Sequence, residues 1–269
     1  MTTYKQPIEP TPRLLRWLLF SLISCFLGGF NTVQAQALKG TASKKILFVL
    51  TSHDKKGSTG EATGYFLSEA AHPWAVLHDA GYQIDFVSPK GGNPPVDAFD
   101  LKDSINNRFW QDSKTHQKLT HSLQPSQINP KDYCAIFYAG GHGAMWDFPN
   151  NKRLASIAAS IYTSGGLVAA VCHGPAALLN IQEASGRSLI QGKKITGFTN
   201  EEETLKKLDK VVPFLLESQL SERGAAFEKT TPFKAHVVVD GRLITGQNPA
   251  SATGVGQAIL SALQAAQNK

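Results

Sequence analysis

The sequence predicts a three-layer α/β sandwich, a mainly parallel sheet with helices on both faces, over residues 44–269. Three observations predict it. Continuous apolar runs of strand length, such as Ile46-Leu47-Phe48-Val49-Leu50, suit strands buried on both faces. Helical patterns alternate with these runs through short glycine-containing connections, which parallel strands bridge by right-handed crossovers. Finally, Val171-Cys172-His173-Gly174-Pro175 ends an apolar run on cysteine, turns on glycine and enters a helix-like segment through proline. That is the pattern of a nucleophile elbow.

The elements follow in order. The first strand covers residues 44–51, and a polar loop over 53–60 leads to a helix over 65–80 that Gly81 stops. Residues 82–87 form the second strand, ended by Pro89-Lys90-Gly91-Gly92-Asn93-Pro94-Pro95. The polar stretch 97–130 predicts short helices packed outside the sheet. A third strand over 133–139 runs into Gly140-Gly141-His142-Gly143, and a helix over 151–162 precedes the elbow strand at 167–171. The elbow's own helix covers 175–180. A short strand starts at Lys194, and 201–223 is a mostly helical insertion interrupted at Pro213. A hairpin of 236–239 and 243–245 about Asp240-Gly241 precedes a final helix over 251–266.

Residues 1–35 stand apart from this domain. Lys5, Arg13 and Arg16 precede an apolar run from Trp17 to Phe30, and small residues follow at Val33, Ala35 and Ala37. This is the layout of a secretory signal peptide cut after Ala35 or Ala37, which sends the chain to the periplasm or outside the cell. The run is short for a membrane span. Leu22-Ile23-Ser24-Cys25 loosely resembles a lipoprotein attachment box, but apolar residues continue past the cysteine. Removing residues 1–35 lowers the formal charge from +6 to +4 and leaves lysines as isolated doublets. Nucleic-acid binding wants a basic stripe, so this pattern argues against it. Cys134 and Cys172 remain, too few for a disulfide scaffold, although export would allow them to pair.

The chemistry collects at strand ends, where such sheets bind ligands. At a helix N-terminus, free N–H groups and the helix dipole would favour the Cys172 thiolate. Glycines allow close backbone approach, so the Gly141 and His173 N–H groups could form an oxyanion hole, with His142 and Gly174 beside it. A buried structural cysteine and tight turns are the plainer readings. Glu69, by spacing alone, is an ordinary surface residue. His53, Asp54, His72, His78 and His142 crowd the early loops, yet lack the spacing of a zinc motif, so no metal is expected.

Three segments resemble the DJ-1/PfpI superfamily, and within it the Hsp31-like glyoxalase III branch. They are Thr63-Gly64 with Glu69-Ala70-Ala71-His72-Pro73, Ala139-Gly140-Gly141-His142-Gly143-Ala144-Met145-Trp146-Asp147-Phe148-Pro149, and Ala170-Val171-Cys172-His173-Gly174-Pro175. Ile195 to Glu203 and Asp240 to Pro249 add support. The resemblance implies a flavodoxin-like sandwich related to class I glutamine amidotransferases. It implies that Cys172 is the nucleophile, His173 its partner, and Glu203 the acid orienting that histidine, with Glu201 and Glu202 open as alternatives. Glu69 then faces the cysteine as a proton shuttle. Adjacent side chains diverge in ordinary backbone, so a Cys172–His173 pair requires a strained elbow.

The implied activity is conversion of a 2-oxoaldehyde such as methylglyoxal to a 2-hydroxy acid, with no glutathione and no cofactor. The resemblance also permits a holdase chaperone, with Val211 to Leu220 and Phe109-Trp110 as client surface, or a protein deglycase. A cysteine peptidase or amidase is a further option, whereas the His-Pro-Glu motif of glutaminases is missing. Superfamily habit implies a homodimer.

Overall fold

The computed structural model describes residues 43–267, so the expected signal peptide and Cys25 lie outside the described residues. In chain order the strands are β1 (Lys45–Val49), β2 (Tyr65–Phe66), β3 (Gln83–Val87), β4 (Val96–Asp97), β5 (Ala135–Tyr138), β6 (Leu167–Val171), β7 (Lys194–Ile195), β8 (Ala226–Phe227), β9 (Val237–Asp240) and β10 (Leu243–Gly246). The helices are α1 (Leu67–Asp79), α2 (Ser104–Gln111), α3 (Ser113–Thr120), α4 (Ala144–Asp147), α5 (Lys152–Thr163), α6 (Asn200–Leu205), α7 (Leu216–Glu222) and α8 (Ala252–Gln267).

The main sheet runs β3-β1-β5-β6-β10-β9. Its first five strands are parallel and β9 returns antiparallel. Counting only the parallel strands along the chain, the order is 2-1-3-4-5, the flavodoxin-like arrangement, as expected. All five residues of β6 and all four of β5 are buried, which is why their sequences are unbroken apolar runs instead of alternating ones. Helix α1 packs against α8, while α5 lies on β5 and β6. At the β9–β10 hairpin Asp240 pairs with Leu243, so the loop is Gly241-Arg242, with Gly241 at φ +61° as a type II′ turn demands.

Several boundaries differ from the sequence reading. Tyr65 and Phe66 do not open α1; they pair in parallel with Val96 and Asp97, and Tyr65 N–H donates to the Pro95 carbonyl. The polar stretch does carry two short helices, capped by Asp103 and Asp112, whose carboxylates accept N–H groups of the first turn. In the insertion, α6 stops at Leu205 and Lys207 takes φ +59°, so turns rather than helix lead to α7. Phe109, Val212, Leu216 and Leu220 are buried in the core, while Trp110, Val211, Phe214 and Leu215 of the expected client surface are half-buried. Cys134 precedes β5 and Cys172 follows β6; in neighbouring parallel strands those are opposite ends of the sheet, and both thiols are free.

Candidate active site

Parallel strands deliver their carboxyl ends to one edge, and here β5 and β6 deliver Gly140 to Gly143 and Cys172-His173 side by side. Cys172 sits at φ +59°, the left-handed region that residues with a Cβ seldom occupy. Its N–H donates to the Gly246 carbonyl of β10, and its carbonyl accepts from Phe198 N–H, so neighbours on both sides hold the strained residue. Gly174 follows because a Cβ there would sit 2.3 Å from the Tyr138 carbonyl oxygen. The segment beyond, expected as a helix, is a 3-10 helix, Gly174–Asn180.

The bend lets adjacent side chains meet. Cys172 Sγ lies 3.2 Å from His173 Nδ1, and His173 Nε2 lies 2.8 Å from Glu203 Oε2. Burial alone would raise the Glu203 carboxyl, but hydrogen bonds from His142 and His173 outweigh it and hold the group down at about 2. Glu203 is therefore an ionised, acceptor-only group, and His173 Nε2 carries the hydrogen between them. Burial also lowers the His173 pKa, with His142 adding to the effect and Glu203 opposing it. A neutral His173 protonated on Nε2 offers its Nδ1 lone pair to the Cys172 thiol.

Three consecutive glutamates on α6 have three different fates. Glu201 is exposed. Glu202 closes a capping box with Thr199, and its other oxygen accepts from Phe233 N–H at 2.7 Å and Asn248 Nδ2 at 2.8 Å. Only Glu203 reaches His173. Losing Glu202 strands several buried donors, so Glu202→Ala should cost about 3 kcal/mol or more in thermal or urea unfolding, against about 0.5 kcal/mol or less for Glu201→Ala.

Glu69 is not a surface residue. It is 0% exposed on the first turn of α1, and its carboxyl faces the Cys172 thiol and the Gly140 backbone, with neither oxygen in a formed hydrogen bond among the described residues. Burial pushes it up to about 8. Gly140 must be glycine here, since a Cβ would lie 2.6 Å from the Val171 carbonyl oxygen and 2.8 Å from the His173 backbone nitrogen, as well as against Glu69.

Burial and the facing Glu69 carboxylate likewise push the Cys172 thiol well up, with Gly141 N–H opposing. Burial of the sulfur thus works against the thiolate that the free N–H groups of the turn would favour. Cys172 and Glu69 share a dry space in which two negative charges are strongly disfavoured, so the pair keeps a proton. With both groups pushed up, each holds a proton at neutral pH, and the base in reach of the thiol proton is His173 Nδ1.

Gly141 has φ +99° and packs so closely on the Gly64 carbonyl that a Cβ would lie 2.2 Å away. Neither its N–H nor that of His173 enters a backbone hydrogen bond among the described residues, which leaves two donors beside the sulfur. His142, expected among the substrate-facing groups, also reaches the carboxylate behind His173. Its Nε2 is 3.0 Å from Glu203 Oε1, and its ring lies 4.2 Å from that of His173.

The other early histidines are dispersed. His72 contacts Asp103 and Thr253, His53 stacks on Trp146, and His78 stacks on Trp74. Among the described residues the ligand-type cluster is His142, His173 and Glu203, with ligand atoms within 4.8 Å of one another. The Nε2 atoms of both histidines are engaged by the carboxylate, and His173 Nδ1 by the Cys172 sulfur.

Two supporting residues went unread in the sequence. Asp147, inside the glycine–histidine segment's own motif, accepts from Thr51 Oγ1 at 2.8 Å and Ser52 N–H at 2.7 Å, tying that segment to the end of β1. Phe198 lies 4.4 Å from the His173 ring and shields it. A lone aromatic after Gly197 carries no signal until the strands are assembled.

Residues 62–262 match the DJ-1/PfpI family. The chain is 37% identical to the glutathione-independent glyoxalase HSP31 of Saccharomyces cerevisiae, an alignment covering 83% of this chain and 99% of that protein. It is 35% identical to glyoxalase 3 of Candida albicans, covering 82% and 98% respectively. Among solved structures it is similar to the rapid encystment protein 24 kDa of Francisella tularensis, with a TM-score of 0.79, 41% identity and coverage of 81% and 98%. The structure of glyoxalase III from Candida albicans gives a TM-score of 0.75 at 35% identity, covering 81% of this chain and 96% of that one. The chain belongs to the DJ-1/PfpI family.

Proposed function

We propose that this protein is a glutathione-independent glyoxalase that converts methylglyoxal or a related 2-oxoaldehyde to the 2-hydroxy acid. The observation that carries the reading is the buried Glu69 carboxyl facing the Cys172 thiol, a proton-carrying group placed at a nucleophile. His173 Nδ1 takes the thiol proton as the Cys172 sulfur adds to the aldehyde carbon, and returns it to a substrate oxygen as the enediol rearranges. The N–H groups of Gly141 and His173 receive the oxyanion, which Glu69 then protonates to a hemithioacetal. The Glu69 carboxylate so formed removes the proton from the former aldehyde carbon and, through an enediol, returns it to the neighbouring one. The product is a 2-hydroxyacyl thioester on Cys172. Water attacks it, with His173 as base backed by Glu203, and the hydroxy acid and the thiol are released. Carbon, hydrogen and oxygen balance with one water per aldehyde, and no external oxidant enters.

The test is lactate formation from methylglyoxal by purified protein in the absence of glutathione. A protein that makes no hydroxy acid from any of a panel of 2-oxoaldehydes would sink the reading.

The residues before the domain support export: arginines at 13 and 16, the apolar run, and small residues at Ala35 and Ala37 fit a cleaved leader. The enzyme then meets aldehydes outside the cytoplasm, as a homodimer. N-terminal sequencing of the mature protein should begin at residue 36 or 38, and sedimentation should return twice the chain mass. An intact N-terminus, or a single-chain mass, would overturn those two points.

A further inference from the structure

We propose that His142 is a positioning residue that holds the second oxygen of Glu203, so that the relay runs Cys172–His173–Glu203–His142. The proposal builds on the role given above to Cys172 and His173. The Glu203 carboxylate is buried and takes one imidazole on each oxygen, His173 at 2.8 Å on Oε2 and His142 at 3.0 Å on Oε1. A carboxylate can only accept, so both Nε2 atoms carry hydrogen.

Two consequences follow for the reaction. First, a carboxylate fixed at both oxygens cannot rotate, and its orientation decides that His173 keeps hydrogen on Nε2 and a lone pair toward sulfur. A side chain oriented by a single bond at this site would leave Oε1 unpaired in a dry environment, a cost met by turning the carboxylate or drawing in water. Second, His173 becomes cationic whenever it takes a proton from the thiol or from water. The N–H from His142 lowers the basicity of Glu203, so the proton stays on the imidazole instead of passing to the carboxylate.

The placement of His142 also has a local cause. It lies between Gly141, packed on the Gly64 carbonyl, and Gly143, where a Cβ would lie 2.6 Å from the His53 carbonyl. Glycines on both sides let the backbone press into its neighbours and aim one imidazole at Glu203. Nε2–H, committed to Glu203, is not available to a substrate oxyanion. Its work is behind the histidine and not at the substrate.

The experiment compares His142→Phe, which keeps a ring against His173 but has no donor, with His142→Gln, whose amide nitrogen replaces Nε2–H. Two rates are read on the full chain: iodoacetamide alkylation at Cys172, followed by mass spectrometry of its peptide, and kcat and KM for methylglyoxal. The alkylation readout needs no assumption about substrate. His142→Phe should lower both the alkylation rate and kcat by about tenfold, the rate equivalent of one charge-assisted hydrogen bond, with KM unchanged. His142→Gln should stay within about threefold of the parent on both readouts, which is less than one such bond. Parent-like alkylation in His142→Phe, or a His142→Gln variant as slow as His142→Phe, would overturn the proposal. If alkylation follows the expected pattern while the parent makes no lactate, His142 keeps its assignment and the glyoxalase reading fails alone.

Discussion

Cys172→Ala is expected to abolish lactate formation, a loss on the order of 10⁴-fold or more, because no other group can form the covalent adduct. Cys134, the other cysteine of the domain, cannot substitute. It lies at the opposite end of the sheet, and burial pushes its thiol up to about 11. Cys172→Ser should be nearly as inactive, since the burial that raises a thiol opposes a far more basic hydroxyl still more strongly. The same position carries a stability signature. At φ +59° any side chain with a Cβ is strained, so Cys172→Gly should be more stable than Cys172→Ala by about 1 kcal/mol in thermal unfolding. Lactate production by purified Cys172→Ala at the parental rate would remove the thiol from the mechanism. Equal stability of the two variants would mean that the elbow stores no strain.

Glu69→Gln should separate catalysis from stability. Gln cannot carry a proton between carbons, so kcat should fall by about 10²–10⁴-fold. The stability effect has the opposite sign. The Glu69 pKa is about 8 in the folded protein against an ordinary value of 4.5, so the native state keeps a proton that the unfolded chain releases. The stabilisation from that proton is fully present below pH 4.5 and is progressively lost as pH rises toward 8. Glu69→Gln is neutral throughout and removes this dependence. At pH 7 the variant should be the more stable protein, by on the order of 3 kcal/mol. Melting curves at intervals from pH 5 to 9 would check it. A variant that melts below the parent at pH 8 would show that Glu69 is better satisfied in the native state than its surroundings indicate. An enzyme that keeps an unpaired acid inside its core gives up stability for a proton carrier.

Much of the site can be read along the chain because its parts are contiguous. The elbow at Cys172, the glycines around His142 and the turn at Gly241 each depend on backbone geometry that a few adjacent residues impose. Even the choice among the three glutamates has a local signal. Thr199 and Glu202 stand in capping-box spacing, which assigns Glu202 to the helix start and leaves Glu203, the next position round the helix, free to reach away. Helix against 3-10 helix after the elbow is harder, since Ala176, Ala177, Leu178 and Leu179 suit either one, and packing chose.

The sequence by itself determined the strand runs, the parallel α/β sandwich and the cysteine that ends a strand on a sharp turn, because buried strands and strained turns each demand particular residues at fixed spacing. Only the tertiary structure decided the protonation of that cysteine. Its sulfur meets Glu69 from α1 and stands before a histidine whose carboxylate comes from α6, groups about a hundred and about thirty residues away in the chain. Burial and charge act through space. Local residues brought the thiol to a helix-like terminus that favours the thiolate, and the assembled core buried it against a carboxyl, where both groups are driven toward their protonated forms.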